Sequence, residues 1–348
     1  MKSCFVADLK DGQAVSSLFL VREKEIRSSP RTGRAWLQVV LGDRTGRIDG
    51  KMWENFEEIA LTFERDDIVR VRGRIKLYND QVELTLEQIL RAGESEYDLA
   101  DFLPHTNLNI GELWQQLCRF VSGVRNPWLS GLLSSIIDDR AIQPKLRSAP
   151  AAMSMHHAYI GGLLEHIVSL CGLVKSAAGN YAELDEDLLL AGAILHDIGK
   201  VDELSYQRSF GYTTEGRLLG HIAIGSRIVR QKIEAIPEFP ARLTMLVEHL
   251  LLSHHGNHEF GSPALPQCRE AVVLHFLDEI DSKMGGMRAT LEGCATADEV
   301  WSERNPSLRR QLLHTGNFLS PPSNARISEN IADVPRLGPL FDNSGKKP

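Results

Sequence analysis

Five times between residues 166 and 278 the sequence sets an imidazole or a carboxylate on, or at the end of, an apolar helical pattern. His166 lies in Gly-Leu-Leu-Glu-His-Ile-Val-Ser-Leu, and His196-Asp197 closes the run that begins at Leu188. His221 opens Gly-His-Ile-Ala-Ile-Gly-Ser-Arg-Ile-Val, His254-His255 ends Leu-Val-Glu-His-Leu-Leu-Leu-Ser, and Asp278 sits in Leu-His-Phe-Leu-Asp-Glu-Ile-Asp-Ser-Lys. Neutral imidazole and carboxylate together are the donor set of divalent transition metals such as Mn, Fe, Co, Ni or Zn. One such histidine would be an ordinary core residue. Five clusters flanked by apolar turns point instead to a shared site inside a helical bundle. The case is sharpest at His196 and Asp197, because an unpaired buried charge costs several kcal/mol and a divalent cation would partner both groups.

Helices must carry these side chains. Leu188 to Leu195 reads as a buried helix, with Asp185, Glu186 and Asp187 at its start, where acidic groups suit the positive end of the dipole. Gly199 stands where a left-handed residue would end that helix, and Gly256 where a cap would follow His255. From about 110 to 139 the apolar period is 3.6, through Leu113, Leu117, Phe120 and Val124, then Leu129, Leu132, Leu133 and Ile136. That is two amphipathic helices broken at Asn126-Pro127. Trp114 and Trp128 are expected in core or interface. A last helix is expected from Trp301 to Leu313.

The first 92 residues have a different rhythm, alternation at period two with turn residues between runs. Strands are expected near 18–27, 34–43, 46–54, 67–78 and 81–91, with a short helix around 54–62 and turns at Asp43-Arg44-Thr45-Gly46 and Asn79-Asp80. Five strands with a helix between the third and fourth is the order of an OB-fold barrel. In the fourth strand Val69, Val71, Gly73, Ile75 and Leu77 share the inner face, which leaves Arg70, Arg72, Arg74, Lys76 and Tyr78 outside. In the third, Ile48, Gly50 and Met52 face in while Arg47, Lys51 and Trp53 face out; in the second, Trp36 lies on the outer side with Gln38. Cations interleaved with aromatics suit single-stranded nucleic acid, since cations track phosphates and rings stack bases. Glu83 and Glu87 on the fifth strand offer the competing reading, pairing across to the cations.

Composition sets the bounds. The chain has 348 residues, 43% hydrophobic, a length comfortable for two domains. No apolar run reaches membrane-spanning length, and charge interrupts the N-terminus too early for a secretory signal. Cys4, Cys118, Cys171, Cys268 and Cys294 form no Cys-x-x-Cys pair and read as reduced thiols of a cytoplasmic protein. A net charge of −7 argues against bulk nucleic-acid affinity, so any phosphate contact must be local. Twelve histidines, all but His105 and His314 between 156 and 275, divide the chain chemically into two halves. Periodicity is lost at Ala92-Gly93-Glu94-Ser95-Glu96, and the stretch through Leu103-Pro104 reads as an extended linker. Beyond about 319 no core pattern remains, and a mobile tail is expected.

The order His … His-Asp … His … His-His … Asp, with His-Asp-Ile-Gly-Lys at its centre, resembles the HD-domain metal-dependent phosphohydrolases. With a barrel in front and Pro-Ala-Ala-Met-Ser-Met-His-His-Ala-Tyr-Ile-Gly-Gly-Leu-Leu-Glu-His at 150–166, the chain resembles the YhaM-type 3′→5′ exoribonucleases over roughly residues 15–290. The resemblance implies a multidomain α+β protein: a five-stranded OB-fold barrel for nucleic acid over 1–92, a linker and connecting helices over 93–150, an all-α HD bundle over 151–315, and a tail over 316–348. It implies two divalent metal ions, manganese first, with Fe, Co, Ni or Mg as alternatives. His166, His196, Asp197 and Asp278 would hold one; Asp197 would bridge to a second completed by His221, His254 and His255. Asp281, three residues from Asp278 on the same helix face, is the competing ligand, and the family pattern favours Asp278. Lys200 would contact the scissile phosphate, with Asp197 and Lys200 the catalytic pair. His156 and His157 are candidate substrate contacts, and His249 and His275 are expected in the core or behind the ligands. The implied activity is hydrolysis of single-stranded RNA, or single-stranded DNA, to nucleoside 5′-monophosphates, with self-association left open. Two alternatives stand beside it: a phosphohydrolase of a small or cyclic nucleotide with a regulatory barrel, and a non-catalytic single-strand-binding protein.

Overall fold

The computed structural model describes residues 2–29, 32–78, 81–153, 158–206, 210–292, 299–305 and 307–320. Alternating side chains in the first segment produce β1 (Ala14–Ser28), β2 (Ala35–Asp43), β3 (Gly46–Met52), β4 (Ile68–Tyr78) and β5 (Gln81–Arg91), with α1 (Phe56–Ala60) between β3 and β4. They close into a barrel in the order β1-β2-β3-β5-β4, every described pairing antiparallel except β3 with β5. Leu37, Val39, Leu41, Ile48, Met52, Val69, Val71, Ile75 and Leu84 fill it, with Phe56 of α1 joining the same core. Asp43 closes the β2–β3 turn by accepting from the Thr45 amide at 2.8 Å and its hydroxyl at 2.6 Å.

Leu77 departs from the alternation. It falls on the inner side yet is 53% exposed, as is its cross-strand partner Val82 at 39%. The reason is length: β1 pairs with β4 only as far as Arg74, so the β4–β5 tip runs past the barrel and its inner face meets solvent. Tyr78 is on β4, but its side chain, like the Asn79-Asp80 turn, lies outside the described residues.

The segment after the barrel is docked rather than extended. Phe102 and Leu103 are fully buried against Leu18, Leu20 and Ile68 of the barrel, with Ile160 packed on the same cluster. Each such side chain contributes roughly 1.5–3 kcal/mol on burial. The backbone then pairs onward, Thr106 N donating to Ile160 O at 3.0 Å and Ile160 N to Pro104 O at 2.8 Å. The Thr106 hydroxyl donates to the buried carboxylate of Glu165, the residue before His166. A chain of contacts thus runs from the barrel to the helix that bears His166.

The helices are α2 (Ile110–Ser122), α3 (Pro127–Ile137), α4 (Ile142–Ser148), α5 (Gly162–Asn180), α6 (Glu186–Leu195), α7 (Lys200–Glu203), α8 (Thr214–Glu234), α9 (Ala241–Ser253) and α10 (Arg269–Glu292), with a ribbon of β6 (Leu204–Ser205) and β7 (Gly211–Tyr212) before α8. Asn126 caps α3 by accepting from Trp128 N and Leu129 N, and Pro127 takes the first turn, as the break in period requires. Trp114 packs partly buried against the bundle core, while Trp128 is 37% exposed. Asp185 caps α6 through Leu188 N at 3.0 Å, and every residue from Leu188 to Leu195 is buried, so α6 is the axis of the bundle.

Gly199 is not left-handed: its φ is −64° and ψ −19°. Glycine is needed there for closeness instead. A Cβ would stand 2.0 Å from His221 O and 2.6 Å from Gly225 N, so the backbone of α8 lies directly on the turn after α6. Gly220 (φ 72°, ψ 160°) breaks α8 just before His221.

By compactness the chain divides into Met1–Ala289 and Thr290–Pro348. In the second unit, 301–313 is a hairpin, β8 (Trp301–Asn305) with β9 (Arg310–Leu313), followed by α11 (Thr315–Leu319). The expected helix is therefore overturned. Asn305 precedes Pro306, a pairing that disfavours helix, and the burial of Ser302, Asn305 and Leu312 follows the strands. Residues 321–348 and Cys294 lie outside the described residues; Cys4, Cys118, Cys171 and Cys268 are free. No helix among the described residues is long and apolar enough to cross a membrane.

Candidate functional site

Three helices and the ends of two more bring the clusters to one place. His166 comes from the first turns of α5, His196 and Asp197 from the end of α6, His221 from the restart of α8, His254 and His255 from the end of α9, and Asp278 from α10. One ligand atom each from His166, His196 and Asp197 lies within 4.8 Å of the others, and the same holds for His221, His254 and His255. Asp278 joins the first group, its Oδ1 3.2 Å from His166 Nε2 and 3.9 Å from His196 Nε2. Asp197 stands between the groups. Its Oδ2 is 3.3 Å from His196 Nε2, and its Oδ1 is 3.5 Å from His221 Nε2 and 3.9 Å from His254 Nε2.

Each ring is turned by a partner behind it. His196 Nδ1 donates to Ala193 O at 3.0 Å, His254 Nδ1 to Leu251 O at 2.7 Å, and His255 Nδ1 to Phe260 O at 2.8 Å. With Nδ1 protonated, each Nε2 keeps its lone pair for the shared space. Glu203 holds His221 twice, its Oε1 3.3 Å from Nδ1 and accepting the His221 amide at 3.0 Å. His166 Nδ1 meets Asp281 Oδ2 at 2.7 Å, and Ser169 donates to the other oxygen of Asp281. That geometry separates the two candidate carboxylates: Asp278 faces the ligand nitrogen of His166, whereas Asp281 supports the ring from behind. His275 donates from Nδ1 to His254 O at 3.0 Å and itself lines the cavity beside the clusters, while His249 Nε2 accepts the Gln267 amide at 3.0 Å.

The fit to cations rests on three atoms. Asp197 Oδ1, His221 Nε2 and His254 Nε2 are buried with no hydrogen-bond partner among the described residues, and they face one another. Buried polar atoms are normally satisfied, so three orphans aimed at one point mark a place for a positive partner. The donor set, imidazole nitrogen with carboxylate oxygen, suits divalent transition metals. The electrostatics agree. Burial holds His254 well below the ordinary imidazole pKa and lowers His255, keeping both neutral. Burial would likewise lower His166, but Asp278 and Asp281 outweigh it and push it up to about 10. Burial opposes charge at Asp197 and Lys200 too. Their mutual ion pair at 2.6 Å wins, holding the carboxyl well below its usual range and raising the ammonium. Lys200 and every cluster residue except His196 line a cavity of about 450 Å³.

Comparison with known families gives the frame for this geometry. Residues 163–283 match the family model of the HD domain, and residues 20–91 match that of an OB-fold nucleic acid binding domain. The chain carries an OB-fold domain followed by an HD domain. The HD-domain match indicates a metal-dependent phosphohydrolase, and both clusters fall inside the matched segment. Among solved structures, the chain is similar to the second OB-fold domain of replication protein A from Methanococcus maripaludis, at 20% identity over 28% of this chain and 100% of that one, with a TM-score of 0.22. It is also similar to a chain of a replication protein A heterotrimer bound to ssDNA, at 16% over 25% of this chain and 62% of that one, TM-score 0.20. A third is an asparaginyl-tRNA synthetase from Pyrococcus horikoshii complexed with asparaginyl-adenylate, at 12% over 71% of this chain and 63% of that one, TM-score 0.22. The chain spans under two thirds of the last two.

On the OB-fold domain, Trp36 and Trp53 meet on the outer wall, ring centroids 5.2 Å apart, with Arg34 over Trp53 at 5.8 Å. Lys51 is taken by Glu83 at 2.5 Å, the cross-strand competition expected of the fifth strand, and Arg70 is taken at 2.6 Å by Glu96, which lies beyond that strand and is not among the expected competitors. Arg72, Arg74 and Lys76 are exposed with no ion pair among the described residues, and Arg47 is exposed at the far end of β3 from Trp53. His156 and His157 lie outside the described residues. Sequence reasoning missed Glu203, Asp281 as a supporting group, and the carbonyls of Ala193, Leu251 and Phe260. Main-chain acceptors leave no residue-type signal, and Glu203 is marked only by lying three residues past Lys200.

Proposed function

We propose that the protein is a metal-dependent 3′→5′ exoribonuclease that hydrolyses single-stranded RNA, with single-stranded DNA as a second substrate, to nucleoside 5′-monophosphates. The observation that carries this reading is Asp197, one buried carboxylate facing two imidazole groups through different oxygens. His166, His196, Asp197 and Asp278 would hold one cation, and Asp197, His221, His254 and His255 the other, manganese being favoured over iron, cobalt, nickel or magnesium. Such cations supply Lewis acidity at a phosphoryl oxygen and lower the pKa of an attacking water. The chain's own groups do the rest. The partners behind each ring fix its direction, and Lys200, kept cationic beside Asp197, offsets charge gathering on the phosphoryl oxygens. On the barrel, Trp36 and Trp53 would stack bases while Arg72, Arg74 and Lys76 follow the phosphates.

A second reading is favoured by the cavity itself. About 450 Å³ falls within the roughly 300–1,000 Å³ range of small-molecule sites, which suits a small or cyclic nucleotide with the barrel regulatory. Incubation of the full chain with Mn²⁺ and 5′-labelled RNA separates the two: a ladder shortening from the 3′ end supports the exonuclease, and intact RNA beside hydrolysed cyclic nucleotide supports the second. Elemental analysis is expected to find the wild type loaded and Asp197→Ala stripped of metal, with hydrolysis lost and RNA binding by the barrel unchanged. Wild-type-like hydrolysis by that variant overturns the mechanism.

A further inference from the structure

Phe260 and Tyr212 differ from the other exposed apolar side chains because both border the cavity that holds the clusters. Scattered exposed apolar residues are ordinary. Two aromatic rings at the rim of a cavity lined by imidazole and carboxylate are not, and these are 61% and 46% exposed. Neither is carried loosely. Phe260 ends a single turn (His258–Phe260) whose carbonyl accepts from His255, and buried Ser262 ties the following turn to Leu252 O at 3.0 Å and Ala264 O at 2.7 Å. Tyr212 pairs with Leu204 in the β6–β7 ribbon, directly before Thr213, which caps α8 through Gly216 N at 2.8 Å. Leu204 in turn follows Glu203, which orients His221. Both rings are therefore tethered to the His221–His254–His255 group.

We propose that Phe260 and Tyr212 are the specificity-determining platform for a nucleobase, each offering a ring face to the base of a nucleotide whose phosphate reaches the clusters. The proposal rests on the reading of the HD site as one that acts on nucleotide phosphates. Stacking uses the π-face that every base presents, so the platform holds purines and pyrimidines alike without reading their edges. A small-molecule phosphate without a base finds nothing there to replace it.

The test compares AMP with ribose 5-phosphate, titrated calorimetrically into the Mn²⁺-loaded full chain. Wild type is expected to bind AMP more tightly. Phe260→Ala and Tyr212→Ala are each expected to weaken AMP by about 5- to 150-fold, the range of base-on-aromatic stacking, and to leave ribose 5-phosphate within about twofold. Phe260→Trp is expected to restore AMP binding. Metal content checks that the Phe260 carbonyl still holds His255; if it drops in Phe260→Ala, Phe260→Leu and Tyr212→Ala carry the comparison. Equal affinity for the two ligands in wild type, or equal weakening of both by the variants, overturns the platform. Loss of the 3′ ladder with base-dependent AMP binding intact removes the exonuclease reading and leaves the platform standing.

Discussion

At Asp197 one carboxylate serves two neighbourhoods: Oδ2 takes Lys200 at 2.6 Å, while buried Oδ1 looks toward His221 and His254. His166 sits in a comparable conflict, because Asp278 and Asp281 favour its cation and a metal requires its neutral form. Without a bound cation it stays protonated up to about pH 10, so uptake of the first cation at pH 7 is expected to release about one proton. Calorimetry in buffers of different ionisation enthalpy checks this, and apparent affinity should climb as pH rises toward 10. For the metal-free fold the sign is opposite: the raised pKa contributes stability fully below the ordinary imidazole value of 6.5, and that contribution is lost as pH rises through about 10. Glu203→Gln probes the other cation. It is expected to weaken that cation by about 10- to 100-fold while sparing the first, the usual cost of losing a carboxylate behind a ligand histidine, read as metal stoichiometry at limiting Mn²⁺. The donors are legible in the sequence as residue types on apolar helices. Their orienting partners are not, since Ala193, Leu251 and Phe260 act through carbonyl oxygens that every residue possesses.

Between elements, the decisive contact is main chain on main chain. A methyl group at Gly199 would stand 2.0 Å from His221 O, whereas one at Gly225 meets Gly199 N at 3.2 Å and Ile198 at 3.4 Å. Gly199→Ala is therefore expected to push α8 away, carrying His221 off Asp197, with a fall in melting temperature and loss of one of the two cations proposed above. Gly225→Ala needs shifts of only tenths of an ångström and is expected to keep both; melting curves and metal analysis of the pair check the contrast. In the sequence Gly199 stands out for another reason, the end of α6, because a glycine required for closeness looks the same as one required for a left-handed φ. The hairpin at 301–313 is deceptive in a similar way: two apolar ends around a polar middle fit a short helix until Asn305-Pro306 is weighed.

Over the whole molecule, alternation reveals the barrel and its inner faces almost residue by residue, failing at Leu77 because burial depends on how far neighbouring strands extend. The charged wall follows from the same alternation, though ion pairs already occupy Lys51 and Arg70. Replacing Arg72, Arg74 and Lys76 together by Ala is expected to reduce the slope of log affinity for single-stranded RNA against log salt by about 2, from roughly 0.7 for each phosphate left unneutralised. Filter binding at several ionic strengths measures it, and replacing Glu58, an exposed acidic residue of α1, serves as the control. The segment between barrel and bundle looks like a spacer because its composition is that of one. Phe102 and Leu103 make it a mortise joint. A fragment cut to begin at Thr106 would strip Ile160 of its cover, and a barrel ending at Arg91 would bare Leu18, Leu20 and Ile68 to water. The two halves are thus separable on paper and not with a protease: severed, each would carry an adhesive face where the other had been.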